Sequence, residues 1–350
     1  MGVTMAALED LVAAKDELFL ELVRKRRRKV ALERALTLKN ARMVAGRSLH
    51  AVGVGYKEVK GRKTRTRCVR LYVVQKLPNR FIPGESRLPK SIAGLPTDVI
   101  EWPVARFLQL CSTGRRRKRR PILGGVSAAH RDVLRTTLGC LCRSTRNGEQ
   151  GNLYILGCNH GFANLGQARV GDPILQQSAG DGGTLRVARL ARWVTIQMGY
   201  APNFVDAAIA KVLPSVGATN EICTIGPLAG VTTPALDMIV CKHGRTTGYT
   251  EGLVFDPSVD SITFPYGDDQ FATFRNQIGI ATIPGSGYAN PSPEEIQWRD
   301  WFCAPGDSGS VIVDKASRCA VGLLFAGAAG LGGYANSMVD VCRLLRIALQ

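Results

Sequence analysis

Residues 301–313 read WFCAPGDSGSVIV: Trp301, Phe302 and Cys303 lead into Pro305-Gly306-Asp307-Ser308-Gly309-Ser310, and the β-branched run Val311-Ile312-Val313 follows. A serine flanked by glycines, behind an aspartate and at the mouth of an apolar strand, admits two readings. One is a small polar turn. The other is a nucleophilic serine whose neighbouring N–H groups face an oxyanion. The rest of the chain has to choose between them.

A serine hydroxyl is a weak nucleophile at neutral pH and needs an adjacent base, most often histidine. The chain has four histidines, His50, His130, His160 and His243. His160 closes the apolar stretch NLYILGCNHGFAN, where a strand could fix its backbone and leave the ring at the strand end. His243 sits in a turn-like CKHGRTTG, His130 in SAAHRD and His50 in a basic region. A base in turn needs a carboxylate to hold its tautomer. Asp206 lies between Val205 and Ala207 in NFVDAAIA, and a carboxylate in such company requires a hydrogen-bond partner. The order His160, Asp206, Ser308 has gaps of 46 and 102 residues.

Composition bounds the remaining choices. The chain has 350 residues, 45% hydrophobic and 21% charged, with 38 glycines. That is enough apolar mass for a sizeable core and enough glycine for many turns. No apolar run reaches the ~18 residues of a membrane span, and the N-terminal stretch has no secretory h-region; a soluble, cytoplasmic protein is expected. Ten cysteines show neither CxxC pairs nor zinc-ligand spacing with histidine, so buried thiols are expected, with no metal and no cofactor. The net charge of +18 is unevenly spread: residues 121–350 hold 17 Lys+Arg against 18 Asp+Glu, so the first 120 residues carry the whole excess.

Four segments follow. Residues 1–45 form a basic helical segment in which Leu8, Leu11, Val12, Leu18, Leu22 and Val23 recur at near-helical spacing, with RKRRRK at 24–29. Residues 46–110 read as a small α/β module: two strands in SLHAVGVGYKEV and RTRCVRLYVVQKLP, a short helix in SRLPKSIAGL and a third strand in PTDVIEW. Residues 111–120 are an Arg-rich linker, and 121–350 contain about ten short strands between glycine turns and a final helix, MVDVCRLLRIALQ. An activating cut after Arg120 is disfavoured, because the bond leads into Pro121.

Residues 121–350 resemble the trypsin-like (chymotrypsin-fold) serine peptidases. The text carrying the resemblance is GGVSAAH, ILGCNHGFAN, GDPILQQ, NFVDAAIA, KHGRTTGYTEG, PGDSGSVIVD and AVGLLFAG. With the leading VGVGYK, VRLYVVQKLP and LPTDVIEW, it is similar to an intracellular branch known from bacteria and, in plants, as the NARROW LEAF 1 type. The resemblance implies a mainly β fold: a double six-stranded antiparallel β-barrel preceded by N-terminal helices and the small α/β module. It implies a serine endopeptidase, with His160 as general base, Asp206 as its orienter, Ser308 as nucleophile and the N–H groups of Gly306 and Ser308 as oxyanion hole. Asp307 would lock the turn through a buried charge contact whose partner stays open. By offset, Phe302, Cys303, Phe325 and Gly327 would line the specificity pocket and favour an apolar or small side chain. Gly161 stands where secreted relatives carry a disulfide cysteine.

The substrate class implied is protein or peptide, with limited proteolysis of a partner, for example in bacterial stress or phage defence. The alternative is an inert protease-fold scaffold whose basic N-terminal third binds nucleic acid or an anionic surface. Aromatic residues there are few and not interleaved with the basic runs, which leaves backbone contacts rather than base stacking. Nothing in the sequence sets the oligomeric state.

Overall fold

The computed structural model describes residues 7–33, 49–59, 62–73, 76, 88–102, 115–266, 270–286, 298, 300–328 and 330–350. A second helix in 34–44 and the linker residues 111–114 lie outside them. The chain is mainly β, as expected. It divides into two compact units, one built from 1–104, 197–202 and 256–277, the other from 105–196, 203–255 and 278–350.

In the first unit one helix, Leu8–Glu33, lies on a sheet. Leu8, Leu11, Val12, Lys15, Leu18 and Phe19 recur at three- and four-residue steps and so share a face. Leu11, Ala14 and Phe19 pack on Leu49, Val52, Val54, Val69, Leu71 and Val73. Those residues alternate along the antiparallel pair Leu49–Val59 and Arg62–Val73; Leu95–Glu101 runs parallel to the second strand. The expected short helix in SRLPKSIAGL is instead a two-residue hairpin: Ile92 pairs with Leu95 across Ala93 (φ 48°) and Gly94 (φ 77°). Two consecutive positive φ values match the twist of a hairpin and cannot begin a helix.

This unit buries charge as well as apolar surface. Lys15, 1% exposed, reaches Asp260 at 3.2 Å, Asp16 at 3.0 Å and Ser258 at 2.9 Å. Arg275 adds ion pairs to Asp16 and Asp260. Asp256 accepts from Tyr72 Oη at 2.7 Å and from the Ser258 N–H at 2.9 Å, and the Arg70 guanidinium favours its charge. Burial raises its pKa to about 6.

The second unit holds two large sheets and two two-stranded ones, Ala218–Ile222 with Ile122–Gly124 and Val126–Ser127 with Thr137–Leu138. One large sheet has the order Ile347–Leu349, Leu141–Ser144, Leu153–Gly157, Ala208–Val212, Arg186–Trp193, Pro173–Leu175, Ala129–His130, antiparallel throughout. The other follows the order Phe271–Thr282, Gly332–Ser337, Cys319–Ala328, Val311–Asp314, Ile239–Gly244 and Gly248–Pro265, the last pairing back with the first to make a ring; of its two end strands only residues 278–282 and 248–255 belong to the second unit, while 271–277 and 256–265 belong to the first. Alternation sends Ile155 to the core of the first sheet, while Tyr154 and Leu156 join Val311, Val313 and Leu323 from the ring. The final helix, Met338–Leu345, seals that shared core with Met338, Val341 and Leu345.

Because the folded pKa of Asp256 lies above its ordinary 3.8, the first unit binds this proton more tightly folded than unfolded. The stability this contributes is full below about pH 4 and is lost as pH rises through about 6, a loss of about 3 kcal/mol. Hydrogen exchange across Leu49–Val59 and Arg62–Val73 at pH 4 and pH 8 measures it. Asp256→Asn is expected to abolish the difference; an unchanged difference contradicts the assignment.

Candidate active site

Strand register brings the first two candidates together. Gly157 pairs with Ala208, so the end of Leu153–Gly157 and the start of Ala208–Val212 lie side by side. His160 follows the first on a short helical turn, Asn159–Phe162, three residues beyond the strand end. Asp206 precedes the second. The His160 ring Nδ1 stands 2.7 Å from Asp206 Oδ2, and the His160 backbone N–H donates to Oδ1 at 3.2 Å. Asp206 is fully buried, and its own N–H donates to Asn336 Oδ1 at 3.0 Å. Burial opposes a charged imidazole, but the Asp206 carboxylate outweighs it and holds His160 well above its ordinary 6.5.

The other histidines are placed differently. His243 is buried, shares a hydrogen bond with Gly125 O at 2.8 Å and is pushed down to about 4 by burial. His130 pairs with Asp172 at 3.3 Å on an edge strand. The side chain of His50 lies outside the described residues.

Ser308 sits on the turn before Val311–Asp314, and that turn is organised around Asp307. Asp307 is fully buried and accepts from the N–H groups of Ala304 (2.9 Å), Thr246 (2.7 Å) and Thr247 (3.1 Å) and from Thr247 Oγ1 (2.7 Å). Its counter-charge is Lys242 Nζ, 3.6 Å away and equally buried. The partner left open by the sequence is therefore an internal lysine on the strand Ile239–Gly244. Burial would raise the carboxyl, yet Lys242 and these donors hold it below the ordinary carboxylate range. Burial depresses Lys242, for which one carboxylate is a smaller compensation.

The turn is completed by Thr137, on the short strand Thr137–Leu138 that pairs with Val126–Ser127. Its N–H donates to Ser308 O and its Oγ1 to Gly306 O, both at 2.8 Å. Gly306 and Gly309 have φ of 97° and 94°, and a side chain on Gly309 would collide with Thr137 O. That answers the question posed by the glycines. Among the described residues, no acceptor of the chain takes the N–H of Gly306 or of Ser308. The Ser308 hydroxyl donates to Phe325 O at 3.2 Å. The Ser308–Gly309 turn abuts the His160 turn: a Cβ on Gly309 would lie 3.5 Å from Cys158 N.

The four residues expected to line a specificity pocket are all buried. Phe302 and Cys303 pack among Val240, Val254, Ile280 and Leu324 in the ring's core. Phe325 and Gly327 lie on Cys319–Ala328. All nine described cysteines are free thiols. A Cβ at Gly161 would come within 2.6 Å of Thr136 Oγ1 and 2.8 Å of Cys158 Sγ, so this glycine makes room for both side chains.

Among solved structures the chain is similar to a Cellulomonas bogoriensis chymotrypsin (16% identity, 65% of this chain and 98% of that chain, TM-score 0.42). It is also similar to Nocardiopsis protease (16% identity, 65% and 98%, TM-score 0.45) and to Thermobifida fusca protease A (14% identity, 65% and 97%, TM-score 0.42). No family model and no curated protein matches it.

Truncating Lys242 strands a buried carboxylate, a change that costs about 3–5 kcal/mol. Lys242→Met should lower the urea midpoint accordingly, and Lys242→Met with Asp307→Asn should recover part of the loss. Equal midpoints for wild type and Lys242→Met would remove Lys242 as the counter-charge. Gly309→Ala is expected to cost at least about 2 kcal/mol through backbone strain and collision.

Proposed function

We propose that residues 121–350 form a serine endopeptidase of the trypsin-like class, acting through His160, Asp206 and Ser308. The observation that carries this is the pairing of a buried carboxylate–imidazole dyad with a glycine turn whose two N–H groups, Gly306 and Ser308, have no acceptor among the described residues. Ser308 Oγ leaves Phe325 O by rotation about its Cα–Cβ bond and turns toward His160. Its proton passes to His160 Nε2 as Oγ bonds the scissile carbonyl carbon. Asp206 stabilises the imidazolium, and the two N–H groups hold the oxyanion, each worth about 3 kcal/mol. The imidazolium then protonates the leaving amine, and water releases the acyl group by the same steps in reverse.

Protein or peptide is the substrate, with an apolar or small side chain at the cleaved residue, as the resemblance implies. The internal Lys242–Asp307 pair supports activity without an activating cut. The nine described cysteines, all free thiols, support a reducing, cytoplasmic compartment. The basic stretch 24–29, on the described helix, supports an anionic partner that localises the enzyme.

Labelling by a fluorophosphonate probe tests the reading. Wild type should label, and Ser308→Ala should not. Asp206→Asn should slow labelling by about 10⁴-fold. Because the base must be neutral and His160 is held above 6.5, the labelling rate should rise with pH, with a midpoint above that value. A folded wild type that never labels would leave the inert scaffold, and a salt-dependent shift on DNA or RNA would then identify its ligand.

A further inference from the structure

The side of His160 away from Asp206 is met by sulfur. Its Nε2 stands 3.5 Å from Sγ of Cys158, a fully buried thiol two residues earlier in the chain. The donor atoms of Cys158, His160 and Asp206 lie within 4.8 Å of one another. From the separation of Sγ and Nε2 we propose that Cys158 and His160 form a binding site for a thiophilic divalent cation, of which zinc is the type, and that occupancy reversibly withdraws the base from Ser308.

At 3.5 Å Sγ and Nε2 form a hydrogen bond, and the same separation suits two ligands of one cation. A zinc ion takes a thiolate at about 2.3 Å and an imidazole nitrogen at about 2.0–2.1 Å. At a tetrahedral angle, two such ligands stand about 3.5 Å apart, which is the separation found here. The group behind the imidazole also fits. A histidine that binds a metal through one nitrogen characteristically donates its other N–H to a carboxylate, which fixes the tautomer and raises ligand basicity. Asp206 occupies that place at 2.7 Å. Sulfur and imidazole together select zinc-like ions over calcium or magnesium, which want oxygen. The ion exchanges with the thiol proton, which leaves to solvent, and its two remaining positions fall to water.

The local sequence is Cys-Asn-His, a spacing unlike structural zinc motifs, which is why an expectation built on those motifs passes over it. Gly161 is the second local requirement, because a side chain there would press on Sγ. The loss of labelling under metal rests on the proposed role of His160; the binding itself does not, and the experiment separates the two.

The full chain is titrated with cobalt(II), a spectroscopic substitute for zinc, and the thiolate-to-metal charge-transfer absorption is followed. Ser308→Ala, which cannot be labelled, should bind cobalt as wild type does. Cys158→Ser and His160→Ala should lose the one-equivalent transition, with unchanged circular dichroism showing that they fold. In parallel, excess zinc should slow fluorophosphonate labelling of wild type at least tenfold, and EDTA should restore it. Cys158→Ser should label at the same rate in zinc and in EDTA. A transition retained in Cys158→Ser, or absent from wild type, overturns the site. A normal transition with zinc-insensitive labelling keeps the site but overturns its control of the base. A normal transition in a wild type that never labels fails the peptidase reading alone.

Discussion

A negative charge with no access to water organises this site. Asp307 is enclosed completely, and an isolated carboxylate in such surroundings would be untenable. The chain meets it with Lys242 and with N–H and hydroxyl donors from residues 246, 247 and 304. Each donor is drawn toward the same two oxygens, so the segment 304–309 has one way to fold. The N–H groups of Gly306 and Ser308 are left over because the turn needs neither to satisfy Asp307. An unspent donor pair beside a serine is thus a consequence of how a buried charge is satisfied nearby. Ile239–Gly244, which carries Lys242, neighbours Val311–Asp314, into which the Asp307 turn leads, so the ion pair also ties the turn to its scaffold.

A second constraint is register. The pairing of Gly157 with Ala208 fixes where the imidazole and the carboxylate arrive, and a slip of one residue would send their strands' side chains to opposite faces. Thr137 then connects the two systems, binding the Ser308 turn through both its N–H and its hydroxyl. Arg245 N donates to that same hydroxyl at 2.9 Å, so Thr137 serves the lysine-bearing loop as well. Three segments far apart in the chain meet on one small side chain.

The alternating strands, the first helix and the approach of His160 to Asp206 were legible because their signals are local: periodicity, an apolar neighbourhood, a charged residue that burial would punish. The turn that carries Ser308 was legible because glycine at two positions has a backbone meaning. Lys242, Thr137 and Asn336 were not, since each acts on a residue more than sixty positions away and none belongs to a local pattern. A lysine inside the apolar run IVCKHG was the one available hint for Lys242. In SRLPKSIAGL, helix-compatible residues at 86–92 masked the turn that Ala93 and Gly94 impose. Phe302 and Cys303 read equally well as pocket wall or as core from sequence, and only packing distinguishes the two. Cys158 passed for one buried thiol among many, because its significance lies in the nitrogen it faces.

The first unit is not contiguous: its opening 104 residues share a core with residues 197–202 and 256–277. A chain emerging from a ribosome at about 5–20 residues per second must make about 150 more residues before that last segment exists. For roughly 8–30 s the helix and its hairpin are present without the strands that carry Asp256, Asp260 and Arg275. Lys15, destined for a buried ion pair, meanwhile has its acidic partner Asp260 still untranslated. Assembly of the first unit is therefore a late event in synthesis despite its early position, and it cannot be complete until most of the second unit's chain has been made.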